Sequence, residues 1–412
     1  MPKFTPDRFP PGFFDLPADA GENLPVAVIE QWTTSTQDRD AALRILEPHT
    51  LHGTVVSSDS AGLTELSRAR PLVEILALVR RPKELIHAFG RAIGGRAVGV
   101  WAADNTQMFY AGDVTAARVV EMLRGVQERM AEERTIGIGL CAHKGAFFEL
   151  SGGLYGPDAD RVETVAEQHT EGGELVITDT LARALPSAHR FALRVREDLA
   201  PEFGELFRVT GGPALTGLEA TDTRYPVPFS EDFYAELRAY AEGGSRAEMP
   251  RPEYVECAVV LVEHERDVPD VPEVAVLNDL ALTAATKRIG RALLRGHDGS
   301  EIKNSGVIGI YTFPDPREAV RFAQGFRQAF AEQGVTTRIG IDVGPVLIFD
   351  LGGGSRDIAG SPINVASKLA QDCGEFGKIY LSDEVARRAR MERQSCTVAF
   401  EVSGVTLTAR HL

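Results

Sequence analysis

The residues best suited to chemistry in this sequence lie in SRDIAGSPINVASKL, residues 355–369. The stretch is typical of a hairpin followed by a helix, and its helix carries Asn364 and Lys368 four positions apart. Side chains with that spacing share one face of a helix and can reach the same ligand. Asp357 lies on the strand before the turn. A plain core helix needs none of these groups, so the stretch predicts a binding site, with a satisfied polar helix face as the alternative.

A second candidate site lies in TLHGTVVSSDSAGLTELS, residues 50–67. Apolar alternation predicts a strand that ends at Asp59, after which Gly62, Leu63 and Thr64 lead into a helix. A carboxylate beside the free amides of a helix N-terminus suits a metal-bound triphosphate, because the acid holds the cation and the amides hold phosphate oxygens. The plainer alternative for the aspartate is a helix cap.

Asp104, in the predicted turn of WAADNTQM, is the candidate second metal carboxylate. Mg²⁺ commonly takes only one or two protein carboxylates and completes its octahedron with water and substrate phosphates, so two acids can suffice. An ordinary turn aspartate is the alternative.

The elements that must hold these residues occur twice. Gly156 aligned on Gly360 places Gly173 on Gly377 without a gap, and each copy runs glycine turn, amphipathic helix, glycine, short strand. Upstream, RTIGIGLCAHKG matches TRIGIDVGPV, and each predicts a strand running into a glycine turn. Further upstream, GRAVGVWAADNTQMFYAG matches GSEIKNSGVIGIYTFPD, and each predicts a strand–turn–strand. The helix that follows is AARVVEMLRGVQERMAEE in one copy and REAVRFAQGFRQAFAEQ in the other. The chain therefore holds two copies of one α+β domain.

Length and breaker residues divide the chain into four parts. Its 412 residues are too many for one ordinary domain. We expect an extension of unassigned role over residues 1–45, a first domain over 46–215, a linker with one helix over 216–250, and a second domain over 251–412.

Composition excludes several classes of protein. The 44 basic and 59 acidic residues give a formal charge of -15, which argues against nucleic acid and anionic membranes as partners. No apolar run reaches the roughly 18 residues that a membrane-spanning helix needs, and the N-terminus has no apolar signal segment. We therefore expect a cytoplasmic protein. The four cysteines lack ligand spacing, so neither a disulfide framework nor a zinc site is expected.

With these motifs in place, the chain resembles class III nucleotidyl cyclases with two catalytic domains in tandem. VVSSDSAGLTEL is similar to the family's F-x-D-I-x-G-F-T motif, and Ala103–Asp104 stands at the hairpin position of its second metal aspartate. DIAGSPINVASK (357–368) is similar to D-x-W-G-x-x-V-N-x-A-S-R. The resemblance covers roughly residues 50–200 and 255–412, and it implies two ferredoxin-like (βαββαβ) domains packed head to tail.

The resemblance also implies an adenylate cyclase that converts ATP to 3′,5′-cyclic AMP and pyrophosphate. In the second copy, Asp357 would accept from the adenine amino group and Lys303 would donate to the ring. Asn364 would orient the ribose, and Lys368 would take the place of the family arginine that stabilises charge on the α-phosphoryl group. Arg410 stands near the family's late phosphate-binding lysine. A surface charge is the alternative for Lys303.

In the first copy, the resemblance implies two Mg²⁺ or Mn²⁺ ions at Asp59, Ser60 and Asp104, with the amides of Gly62 to Thr64 on the phosphates. The copies are degenerate in opposite ways. At the positions of the second copy's Asp357, Lys303, Asn364 and Lys368, the first copy has Gly153, Val100, Asp160 and Thr164. At the positions of the first copy's Asp59 and Asp104, the second copy has Glu263 and Val307. One chain would then form one composite site and one dead pseudosite.

An intramolecular pair of this kind is compatible with a monomer, and the regulator stays unidentified. Three alternatives come from other classes. A catalytically weak or dead tandem cyclase would bind nucleotide as a sensor or scaffold. A guanylate cyclase is argued against by Lys303 and Asp357. A partner-binding protein would use only the fold.

Overall fold

The computed structural model of the protein describes residues 24–60, 70–99, 101, 106–133, 136–197, 204–218, 224–227, 229–244, 253–265, 271–352, 355–402 and 405–412. The chain divides into two compact units. The first unit is Pro48–Arg251, and the second unit is Pro252–Leu412 together with the chain up to Glu47.

From the first strand to the last, the described helices and strands follow one another in the same order in both units; two helices before the first strand of one unit and one helix after the last strand of the other have no counterpart. The helices are α1 Val26–Thr33, α2 Arg39–Leu46, α3 Leu72–Ala92, α4 Ala116–Glu133, α5 Pro157–His169, α6 Asp179–Arg183, α7 Glu231–Ala241, α8 Pro272–Leu294, α9 Pro316–Ala331, α10 Ser361–Ser367 and α11 Asp383–Ala389. A 3₁₀ turn, Glu47–His49, follows α2, and a π-helical turn, Lys368–Cys373, follows α10.

The strands of the first unit are β1 Thr50–Ser60, β2 Arg96–Ala97, β3 Thr106–Ala111, β4 Ile138–Leu150, β5 Gly153–Tyr155, β6 Leu175–Thr178, β7 Ala192–Val195 and β8 Leu206–Gly211. Those of the second unit are β9 Val255–His264, β10 Ser300–Ser305, β11 Ile308–Phe313, β12 Thr337–Gly352, β13 Ser355–Ala359, β14 Ile379–Ser382, β15 Cys396–Val402 and β16 Val405–His411.

The two sheets have the same topology. The first is ordered β2-β3-β1-β4-β6-β8-β7 with β5 paired to β4, and the second β10-β11-β9-β12-β14-β16-β15 with β13 paired to β12. In each unit the first four strands and two helices run βαββαβ, with the fourth strand beside the first and the third between the first and the second. This is the ferredoxin-like arrangement, so the predicted fold class and the internal duplication are confirmed.

The glycines that align the two copies have matching backbone conformations. Gly156 (φ 108°) and Gly360 (φ 147°) precede α5 and α10, and Gly173 (φ 84°) and Gly377 (φ 87°) precede the next strand. A residue with a Cβ adopts such positive φ values only at a cost, which explains why glycine stands at each position.

One sequence prediction about glycine is wrong. The strands β4 and β12 do not end in turns at Gly145 and Gly344 but continue through both residues. A Cβ at Gly145 would lie 2.0 Å from the Asp158 Oδ2 atom. This glycine therefore allows a close approach of α5 to the strand and does not make a turn.

In the second unit, helices cover both faces of the sheet. One core contains Leu282 of α8, Phe322 of α9 and Val385 of α11, packed on strand residues such as Leu381. The other core lies under α10, whose Ala366 packs on the opposite strand face. Because successive strand residues point to opposite faces, position along a strand decides which core a side chain joins.

Helices that have no counterpart in the other copy pack on each unit. In the second unit, α1 and α2 pack on α8, and the buried Trp32 Nε1 donates to Asn278 Oδ1 at 3.0 Å. In the first unit, α7, the helix expected in residues 216–250, packs on α3, where the Tyr234 hydroxyl donates to the Glu84 carboxylate. The described residues of both segments, the N-terminal extension and the expected linker, therefore pack on a domain and do not only connect one part of the chain to another.

The described helices include none that is long and apolar enough to cross a bilayer. All four cysteines are free thiols, and two of them, Cys141 and Cys257, are buried. Burial raises the pKa of Cys141 to about 12, so this thiol stays protonated.

Candidate functional site

Lys303 and Asp357 form an ion pair between β10 and β13. The Lys303 Nζ lies 3.8 Å from the Asp357 Oδ2, and the other carboxylate oxygen, Oδ1, accepts from the Ile358 amide at 2.9 Å. The aspartate side chain is only 10% exposed, whereas the lysine side chain is 49% exposed. The acid is therefore the fixed member, and the lysine retains donors that can reach a ligand.

Two residues that the sequence analysis missed support this pair. Arg356, beside the aspartate in sequence, donates to the main-chain carbonyl of Glu301. The Glu301 carboxylate in turn binds Arg291 Nε at 3.3 Å and Lys287 Nζ at 3.5 Å. These contacts tie β13 to β10 and both to α8. In the sequence, Arg356 stands next to Asp357, and Glu301 stands two positions before Lys303. A charged residue so close to a predicted site residue on a strand was the signal that could have identified both.

Asn364 and Lys368 lie one helical turn apart. The Lys368 amide donates to the Asn364 carbonyl, although α10 ends at Ser367 and the lysine already begins the π-helical turn. Asn364 is exposed and Lys368 is half-buried, while Pro362 and Ala366 of α10 are buried. The predicted shared face therefore exists, and it points away from the core under α10.

The lysine also acts on its surroundings electrostatically. Burial and the nearby Asp372 raise the pKa of the Cys373 thiol above its ordinary value, and the charges of Lys368 and Arg338 lower it by less. Both cations are thus close enough to the π-helical turn to affect a group at its end.

A common core holds the elements that carry these residues. Ile302 precedes Lys303, Ile358 follows Asp357, and Ala366 lies on α10; all three pack in one cluster. The structure thus brings β10, β13 and α10 together around one apolar cluster, so the elements that carry Lys303, Asp357, Asn364 and Lys368 are neighbours.

Arg410 is not part of this group. It lies on β16 opposite Leu381 of β14, and directly paired residues point to the same sheet face. Leu381 belongs to the core under α9 and α11, whereas α10 covers the other face. The guanidinium accordingly binds Asp383 Oδ1 at 3.1 Å and the Glu392 carbonyl at 3.2 Å. Arg410 is therefore held on the sheet face opposite α10, and its contact with a phosphate stays a prediction.

In the first unit, Asp59 is the second-last residue of β1, opposite Gly139 of β4, and Ser60 beside it is buried. Asp104, Gly62, Leu63 and Thr64 lie outside the described residues. Within the described ranges no group of three or more His, Cys, Asp or Glu side chains could hold a metal ion. A strand-end carboxylate nevertheless offers the oxygen ligand that Mg²⁺ and Mn²⁺ prefer, and one or two such ligands suffice for Mg²⁺.

The first copy uses the start of its own α5 for internal contacts. Asp158 binds the buried His143 Nε2 at 3.0 Å and the Ala146 amide at 2.8 Å, and His143 Nδ1 lies 2.9 Å from the Thr178 hydroxyl. Burial raises the pKa of Asp158, but the contacts with His143 and the Ala146 amide lower it more, so the carboxylate is stabilised. Gly153, Asp160 and Thr164 occupy the predicted counterpart positions on β5 and α5.

Comparison with known proteins yields structural likenesses alone. No protein-family model matches the chain, and no curated protein matches it. The chain is similar in structure to nucleotidyl cyclase catalytic domains. An adenylate/guanylate cyclase/hydrolase from Silicibacter pomeroyi is 23% identical over 39% of this chain and 96% of that chain, with a TM-score of 0.32.

Two further solved structures differ in the nucleotide that their names imply. The adenylyl cyclase CyaB from P. aeruginosa is 17% identical over 43% of this chain and 98% of that chain, with a TM-score of 0.34. The guanylate cyclase domain of RhGC from Catenaria anguillulae, in complex with GTP, is 16% identical over 39% of this chain and 97% of that chain, with a TM-score of 0.32.

Proposed function

We propose that the protein is an adenylate cyclase that converts ATP to 3′,5′-cyclic AMP and pyrophosphate. The observation that carries the proposal is the pair formed by Lys303 Nζ and Asp357 Oδ2, 3.8 Å apart, on strands that share a core with α10. A buried acceptor beside a half-exposed donor is complementary to the edge of adenine, which presents an amino donor next to a ring acceptor. Guanine would place its O6 acceptor against the carboxylate.

The polar face of α10 supports the rest of the nucleotide. In the proposed complex, Asn364 hydrogen-bonds the ribose and holds its 3′-hydroxyl in line with the α-phosphorus. Lys368 places its ammonium where negative charge develops on the α-phosphoryl group as pyrophosphate leaves. A lysine supplies a point charge without the planar fork of an arginine, so we expect a rate below that of an arginine-containing site.

The first copy would supply the metal ligands. Asp59, with Asp104, would hold two Mg²⁺ or Mn²⁺ ions, which lower the pKa of the ribose hydroxyl and neutralise the phosphates when bound. In the proposed reaction one ATP is shared by these acids and the residues of the second copy, so one chain makes one product site. No second chain is then required.

A catalytically weak or dead tandem cyclase that senses nucleotide is the second candidate. It is favoured by the position of Arg410, which binds Asp383 on the sheet face opposite α10. If Asp383 keeps Arg410 on that face, the phosphates would lack the cation that the sequence analysis expected. This candidate predicts ATP binding without turnover.

The test is an assay of purified full-length protein with ATP and, separately, GTP, in Mg²⁺ or Mn²⁺, with chromatographic detection of the cyclic product. We expect cyclic AMP from ATP, and we expect Asp59→Asn to abolish it while binding of ATP persists. Unchanged turnover in Asp59→Asn would remove the metal assignment. ATP binding without product in either metal would establish the second candidate.

A further inference from the structure

The counterpart of Asp59 in the second copy is Glu263, and the sheet register supports this equivalence. Glu263 of β9 lies opposite Arg338 of β12, as Asp59 of β1 lies opposite Gly139 of β4. Both acids are the second-last residue of the first strand of their copy. The copies therefore differ in what faces the acid across the sheet: a glycine in the first and an arginine in the second.

The arginine binds that acid directly. Arg338 Nε lies 2.7 Å from Glu263 Oε2, and the two side chains are only 15% and 16% exposed. A charge-assisted contact of this length, largely shielded from water, satisfies the carboxylate with a cation that belongs to the chain. A divalent ion at Glu263 would share the carboxylate with a guanidinium whose Nε lies 2.7 Å from Oε2, and the two cations would repel each other, so the residues of the second copy do not fit a metal.

The remaining nitrogens of the same guanidinium hold the turn that begins at Lys368. Nη1 donates to the Gly374 carbonyl at 2.7 Å and Nη2 to the Gln371 carbonyl at 2.6 Å. The guanidinium also lies over the Phe376 ring, 4.5 Å from its centroid. Carbonyls at a helix end lack partners within the helix, and the arginine supplies partners for two of them at the end of the π-helical turn.

We propose that Arg338 is a built-in cation that replaces the metal of the second copy, and that through the same guanidinium it positions the turn carrying Lys368. The chain then binds its catalytic metal through the first copy alone. The second part of the inference rests on the proposed function, whereas the first part does not.

The first part is tested by Mn²⁺ binding, which needs no turnover. Free Mn²⁺ is titrated by electron paramagnetic resonance against full-length wild type and Glu263→Gln. We expect the same number of sites and the same affinity in both, because Glu263 is already paired. A site lost in Glu263→Gln would show that the second copy binds metal and would overturn the inference. The Asp59→Asn variant reports separately on the proposed function.

The second part is tested with Arg338→Ala and Arg338→Lys. We expect both to lower kcat at least about tenfold with the KM for Mn²⁺ unchanged, because a lysine cannot reproduce a fork that reaches three acceptors. Arg388→Ala is the matched control, since Arg388 is an ion-paired arginine of the same unit, bound to the carboxylates of Glu256 and Glu384.

Thermal unfolding of each variant separates positioning from folding. If Arg338→Ala does not fold, Arg338→Lys, which keeps the charge, carries the measurement. Full turnover in a folded Arg338 variant, or rescue by lysine, would refute the positioning role. If the wild type binds ATP without turnover, the dissociation constant of a fluorescent ATP analogue replaces kcat, and we expect it to rise several-fold in both Arg338 variants and to stay constant in Arg388→Ala.

Discussion

Replacing Asp357 by asparagine gives the sharpest test of base recognition. Its Oδ1 is held by the Ile358 amide at 2.9 Å, so the Oδ2, 3.8 Å from Lys303 Nζ, is the atom available to a base. In Asp357→Asn the natural orientation keeps the oxygen on that amide and places an NH₂ donor at the Oδ2 position. The donor then faces the adenine amino group, whereas guanine would present its O6 acceptor to it.

The magnitude follows from the nature of the lost contact. A hydrogen bond to a charged group contributes about 1.5–3 kcal/mol, and the acid is only 10% exposed, so solvent does not replace it. Each 1.4 kcal/mol corresponds to about tenfold. We therefore expect kcat/KM for ATP to fall about tenfold to about 150-fold, while that for GTP rises or stays constant. Lys303→Ala should cost less, because the lysine side chain is 49% exposed.

The assay measures initial rates of cyclic AMP and cyclic GMP formation for wild type, Asp357→Asn and Lys303→Ala. Thermal unfolding of each variant excludes a loss of folded protein as the cause. A ratio of ATP to GTP activity that is unchanged in Asp357→Asn would refute the assignment of this residue to the base. Equal losses for both nucleotides would mean that the aspartate supports the fold of the hairpin and does not read the base.

Three further outcomes are expected. Asp59→Asn and Lys368→Ala should each be inactive and stay inactive when mixed, because in the proposed function one chain supplies the whole site. Recovered cyclic AMP would show that the site forms between chains. Trp32→Ala should lower the free energy of unfolding in urea by about 3–5 kcal/mol, since this side chain is buried and hydrogen-bonded to α8, and Trp32→Phe should lower it less. Equal stability of wild type and alanine variant would mean that α1 is not docked. Burial lowers the pKa of His264 to about 3 from 6.5, so the unfolded chain takes up the proton at a higher pH than the folded chain. The free energy of unfolding should therefore fall by about 1.4 kcal/mol per pH unit as the pH drops from about 6 towards 4. His264→Phe should reduce that slope, and an identical slope would contradict the assignment.

The duplication was readable from local patterns. Helix and strand periods depend on neighbours a few positions apart, and Gly156 and Gly360 occupy positions with φ values that only glycine adopts freely. The spacing of Asn364 and Lys368 also needed no tertiary information, because a helical turn fixes which residues share a face.

Other features depend on contacts between distant segments. Gly145 signals either a turn or a close approach, and only the position of Asp158, on a helix that follows, decides between them. Arg410 was assigned because it stands near the place of the family's late phosphate-binding lysine, but the pairing of β16 with β14 decides which sheet face it joins. A shift of one residue in that register would have moved it to the other face.

The sequence by itself determined that this protein is built from two copies of one α+β domain and which polar residues each copy keeps. Those properties are encoded in short-range periodicity, glycine positions and residue type. Only the tertiary structure decided how charges are paired, because partners such as Glu263 and Arg338 lie 75 positions apart and meet through strand register. The same register brings the carboxylate of the second copy against an arginine and that of the first against a glycine.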